Sequence, residues 1–147
     1  MYPNIWRENV NNKPKLRTYE KIKNDFKTEK YILLNLTRSE RSYLAQLRFG
    51  NLPLRIETGR YYNENVDEKL CVLFNSGQVE DEIHFIFDCC IYNDLRLKLF
   101  ESVSIDQAIL LDMPKHEQLM YFFENNARQL AKYVSSSFAR RRNIIYK

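Results

Sequence analysis

Cys71, His84 and Cys89 restrict what this chain can become more than any other residues. Tetrahedral zinc takes four nitrogen or sulfur ligands, usually presented by a tight turn and a helix. Here Cys71 precedes the turn signal Asn75-Ser76-Gly77, and His84 and Cys89 follow it in an apolar run. A second cysteine three residues after Cys71 would complete a C-x2-C…H-x4-C set, but that position is Phe74. Cys90 is an awkward substitute, because the side chains of neighbouring residues diverge. Geometry adds a condition. Five residues subtend about 140° on a regular α-helix, so His84 and Cys89 converge only if the helix ends or distorts before Cys89. The same residues also read as small buried hydrophobes and a satisfied core histidine. With three ligands where structural zinc wants four, the expectation is a chain without a resident cofactor, in which zinc has only an incomplete site. Phe74 should then fill the gap beside Ile83 or Phe87.

All three cysteines lie in this one segment, which does not suit a disulfide framework. The opening Met1-Tyr-Pro-Asn-Ile-Trp-Arg-Glu has no apolar signal core, and no apolar run approaches eighteen residues. These features predict an intracellular protein, in nucleus or cytoplasm, with no membrane partner. Aromatic residues reach 14% against three glycines and four prolines, which favours an ordered, mainly helical chain over a sandwich. The expected fold is mainly α, five to seven helices, with a small β-hairpin of degenerate zinc-knuckle type. Residues 1–14 read as an arm, and 15–147 as a single helical domain with a knuckle-like insert at about 66–90.

Local signals place the elements. Leu16, Tyr19, Ile22 and Phe26 follow helical spacing from Lys15 to about Lys27. Thr37-Arg-Ser-Glu40 is a capping box, predicting a helix from Arg38 to about Phe49 that stops at Gly50. Pro53 forbids helix at its own position, and 52–62 reads as extended. A hairpin is expected around Asn75-Ser-Gly77, then a helix opened by Glu80-Asp81-Glu82, where the dipole favours carboxylates. Further helices are expected at about 92–101, after caps at Ser104 and Asp112, and at about 126–145. Leu44, Leu47, Leu52, Leu54, Phe87, Leu95, Leu99, Phe100, Leu130, Val134 and Phe138 are the expected core.

Net charge is +4 and unevenly spread. Residues 64–90 carry one lysine against seven carboxylates, whereas 123–147 carry six basic residues against one acidic. Basic ends therefore flank an acidic middle, and the ends are where phosphate contact is expected. The candidates for nucleic-acid contact are Lys15, Arg17, Lys21, Lys23, Arg38, Arg41, Arg140, Arg141 and Arg142. The last three are expected off the apolar face of the terminal helix, and the carboxylates of the middle are expected on solvated faces.

Three stretches resemble a known family. They are Gly50-Asn-Leu-Pro-Leu-Arg-Ile-Glu-Thr-Gly-Arg60-Tyr, Cys71-x-x-Phe74, and Val79-Glu-Asp-Glu-Ile-His84-Phe-x-x-x-Cys89-x-x-Tyr92-x-x-Leu95-Arg96. The family is the region downstream of the polymerase in reverse transcriptases of animal non-LTR (LINE-type) retrotransposons. Lys15-Leu-Arg-Thr-Tyr19 and Phe138-Ala-Arg-Arg141 are similar too. The resemblance implies a C-x2-C…H-x4-C zinc site and contact with RNA or DNA during reverse transcription. Cys71, His84 and Cys89 match that pattern, and Phe74 departs from it. Paired metal-binding aspartates, a nucleotide loop and a nucleophile triad are all missing from the sequence, so no enzymatic activity is expected. Two functions follow as expectations. One is an accessory nucleic-acid-binding domain that binds RNA or DNA weakly and without sequence preference. The other is a structural or protein-interaction helical module, a decayed or host-retained mobile-element fragment with a protein partner.

Overall fold

The structure, a computed structural model, describes residues 2–13, 16–23 and 28–146. The chain is mainly helical. In order, α1 spans Tyr2–Asn11, α2 Arg17–Ile22, α3 Arg38–Arg48, α4 Arg55–Thr58, α5 Asn93–Glu101, α6 Gln107–Asp112, α7 Lys115–Asn125 and α8 Ala127–Ile145. The stretch read as an arm is thus largely a helix, with Val10 buried and Trp6 edge-on to Tyr19 of α2. Lys15, Phe26 and Lys27, assigned to the first basic helix, lie outside the described residues.

Where local chemistry is strong, the elements sit as expected. Thr37 Oγ1 accepts from Glu40 N at 3.1 Å and Glu40 Oε1 accepts from Thr37 N at 3.2 Å, closing the box at the start of α3. Gly50 takes φ 69° just past its end, a left-handed value that favours glycine. At α6 the cap is Asp106, whose carboxylate accepts from Ala108 N, and not Ser104. Residues 52–62 are not extended. Pro53 bars helix only at its own position, and beyond it α4 runs into a 3-10 turn at Gly59–Tyr62. Burial of Ile56 and a bond from Ile56 N to Glu80 O hold that segment against the knuckle.

The expected hairpin does not form. Among the described residues it is reduced to one antiparallel bridge, Leu70 to Val79. Bonds from Cys71 N to Gln78 O (2.9 Å) and from Glu80 N to Lys69 O (3.0 Å) flank it. Pairing stops there because the next amides, of Leu73 and Phe74, turn back toward the Cys71 sulfur. They leave nothing for a ladder.

The core lies between α3, α5, α7 and α8. Leu44, Leu47, Leu52, Leu54, Leu99, Phe100, Leu130, Val134 and Phe138 are buried in it, and Phe87 and Leu95 pack against its edge. Phe85, Ile86, Tyr92, Leu110, Leu119 and Phe122 complete it, with Phe85 ringed by Tyr92, Tyr133 and Phe138 at centroid distances of 5.1–5.8 Å. Arg48 is buried at the other end of the molecule. It pairs with Glu29, and its guanidinium lies 5.1–6.0 Å from the rings of Tyr19, Tyr31 and Phe123. A basic side chain here acts as mortar between α2, α3 and α7.

Candidate metal centre

The helix that opens at Asp81 cannot reach Cys89 in regular α geometry with His84 on the same face. It does not remain α-helical. Residues His84–Asp88 form a π-turn, closed by Cys89 N donating to His84 O at 2.8 Å. A bond spanning five residues overwinds nothing and widens the turn, so residues five apart come back to one side. The widened turn releases carbonyls that an α-helix would have satisfied internally. Phe85 O accepts instead from Tyr133 Oη at 2.6 Å, and Ile86 O from Arg96 Nε at 2.8 Å. Arg96 also donates to Cys89 O at 2.7 Å. Helices α5 and α8 therefore set the register of the turn that carries two of the three ligands.

The outcome is convergence. One ligand atom each from Cys71, His84 and Cys89 lies within 4.8 Å of the others, and all three residues are buried. Zinc–sulfur and zinc–nitrogen bond lengths put the ligand atoms of a tetrahedral ion roughly 3.5–3.8 Å apart, so closure asks for about an ångström of movement. This group can hold a metal ion. Cys90 is exposed and takes no part. Gln78 Oε1 lies 3.0 Å from His84 Nδ1, which fixes the ring and leaves Nε2 facing the cluster. Nε2 is buried with no hydrogen-bond partner, an orphan that a metal would satisfy.

The protonation states fit the same picture. The Cys89 thiol beside it holds the Cys71 thiol far below its ordinary range; burial opposes this, and the His84 ring and the amides of Leu73 and Phe74 reinforce it. The same neighbour, Cys71, pushes Cys89 up. Cys71 also raises His84, against the effect of burial. The trio thus shares thiolate character centred on Cys71. Glu80 Oε2 stands 3.8 Å from that sulfur, and burial pushes the Glu80 carboxyl up while Arg141 opposes the rise.

Phe74 is not the plug it was expected to be. Its side chain is 50% exposed and packs into no core. The Phe74 amide is aimed at Cys71 while the ring stays half exposed. The apolar obstacle to a cation is therefore absent.

The expected basic surface is largely consumed by internal pairs. Arg17 binds Glu82 at 2.6 Å, and Lys23 binds Glu29 at 3.0 Å. Arg140 grips Asp94 with two bonds, at 2.5 and 2.8 Å, and donates to Ile91 O. Arg141 is buried and donates to Glu80 Oε1 at 2.6 Å. The terminal arginine trio is therefore split. One is a buried structural ion, one is pinned to α5, and Arg142 alone is exposed. The acidic middle is corrected in the same way, since Glu80 and Glu82 are buried partners of arginines and not solvated. Arg38, Arg41 and Lys21 remain exposed, with Arg41 donating to Leu34 O at 3.2 Å. Lys15 lies outside the described residues. Among the described residues no helix is long and apolar enough to cross a membrane.

No protein-family model matches the chain, and no curated protein or solved structure matches it either.

Proposed function

We propose that this chain is a non-catalytic, zinc-organised helical module that binds RNA or DNA, related to the region downstream of the polymerase in non-LTR retrotransposon reverse transcriptases. The observation that carries it is the π-turn, which brings His84 and Cys89 to Cys71 while Gln78 holds the histidine ring. Thiolate sulfur with imidazole is a donor set that suits zinc. Cys71, Cys89 and His84 would hold it. Its role there is structural, tying the turn after Cys71 to the segment before α5. The ion would also neutralise the thiolate beside buried Glu80. Nucleic-acid contact falls to the exposed cations that have no ion-pair partner among the described residues, Arg38 and Arg142 foremost, and phosphate contact implies weak, salt-steep binding without sequence preference.

A second reading has its own observation. A cavity of about 400 Å3 beside α5 and α6 has Phe87, Leu97, Phe100 and Leu111 on its walls together with Arg96, Lys115 and three amide side chains, and Leu97 and Leu111 are exposed. A hollow with exposed leucines rimmed by polar side chains suits a protein partner. Metal content of the purified chain by mass spectrometry, with RNA and DNA binding titrated against salt, tests the first reading. A metal-free chain that binds neither nucleic acid at low salt would sink it, and a stable oligomer or partner complex would then favour the second.

A further inference from the structure

Residues of α3 and α8 line a groove of about 580 Å3. The size falls in the range of about 300–1,000 Å3 common to ligand sites. Arg38 stands at one side of it, on the first turn of α3, and Arg142 at the other, on the last turns of α8. Both are exposed, and neither has an ion-pair partner among the described residues. That distinguishes them in a chain whose arginines are mostly paired. No carboxylate lines the groove. Between the arginines lie the hydroxyls of Ser39 and Ser42 and an apolar wall made by Tyr43 and Phe138, whose rings are nearly parallel at 18° with centroids 6.4 Å apart.

We infer that this groove is the seat of a single-stranded nucleic acid, with Arg38 and Arg142 on its phosphates, the serine hydroxyls on phosphate or sugar oxygens, and a base against Tyr43. The inference rests on the nucleic-acid reading and gives it an address. Charge complementarity selects an anion, and two flanking cations with an aromatic wall between them select a phosphodiester carrying flat bases over a compact anion. A duplex would not enter, because the groove is a cleft of about nucleotide size between two helices.

The test uses the full chain and fluorescein-labelled U12 and dT12, read by anisotropy over a salt series. Arg38→Ala with Arg142→Ala is expected to weaken binding about tenfold or more at low salt. It should also make the slope of log K against log salt shallower by about 1.4, two contacts at about 0.7 each for single strands. Lys30→Ala with Lys98→Ala, an equal change of charge at exposed positions elsewhere, should leave most of the affinity in place. Arg38→Lys with Arg142→Lys should retain the slope and confirms that the fold survives substitution there. If the wild type binds and the two alanine pairs behave alike, the groove is wrong while the nucleic-acid reading stands. If the wild type binds neither oligomer, both fail. Displacement of U12 by an acidic peptide at equal charge concentration would also overturn the assignment, since it would show a cation patch with no preference for nucleotides.

Discussion

Two residues decide whether the knuckle and its surroundings behave as described. Phe74 occupies the ligand position of the turn with its amide already aimed at Cys71 and its ring in solvent. Phe74→Cys should therefore supply a fourth ligand, a third thiolate, with little strain and raise zinc affinity by at least tenfold, read by competition with a chromophoric chelator. An unchanged affinity would mean that the backbone is not arranged for a third sulfur. Arg141 is the second case. Removing one member of a buried ion pair leaves the other charge unpaired, at about 3–5 kcal/mol. Arg141→Ala strands Glu80, whose side chain is 1% exposed, whereas Arg142→Ala touches an exposed residue and should fall within about 0.5 kcal/mol of the parent. Urea melts of the two variants give the comparison, and equal stabilities would refute the buried pair. Truncating all three terminal arginines together would thus report on folding and says little about nucleic acid.

Among the elements, the π-turn is the one on which the site depends. Its register is held from outside by Tyr133 Oη on Phe85 O and by Arg96 on Ile86 O and Cys89 O. Tyr133→Phe keeps the ring and frees a buried carbonyl, at about 1–3 kcal/mol. The variant should lose metal affinity along with stability. Loss of stability with unchanged metal binding would show that the turn does not need that tether. Helix α3 offers a pH handle. Burial is the largest single influence and raises the Glu40 carboxyl, but the Thr37 amide and hydroxyl, with Arg128 and Lys132 nearby, together outweigh it and hold it below its ordinary value of 4.5. A depressed folded-state pKa means the stabilisation is present above pH 4.5 and is lost as pH falls through the folded value. The stability difference between the parent and Glu40→Gln should thus shrink on acidification below 4.5, followed by circular dichroism melts at stepped pH. A difference that stays constant from pH 7 to 3 would remove the carboxylate from the cap.

For the whole molecule, the question is what the metal adds to a chain that already has a core. Leu44, Leu47, Leu52, Leu54, Leu110, Leu119, Leu130 and Val134 are completely enclosed, enough for a fold that outlasts chelation. A ligand that binds only the native state at a hundredfold excess over Kd stabilises it by about 2.7 kcal/mol. Chelation of the zinc-loaded chain should therefore lower Tm by roughly 5–10 °C without unfolding it at room temperature. No change in Tm would argue against a structural ion, and complete unfolding would mean that the core is weaker than its burial implies.

The sequence by itself determined what local chemistry controls: the box at Thr37 and Glu40, the stop at Gly50, the helical stripe of α8, and the three ligand positions with the condition that joins two of them. Those features depend on neighbours within a turn or two, so they can be read along the chain. Only the tertiary structure decided that the condition is met, because the bonds that hold the π-turn come from Arg96 and from Tyr133, 48 residues past the carbonyl it binds. It also decided that Arg141 and Glu80, 61 residues apart, neutralise each other inside, while Arg142 beside them stays exposed. A charge in a sequence has no address. Desolvation and the partner it meets on folding determine whether it serves the interior or the surface, and both are set by packing between elements far apart in the chain.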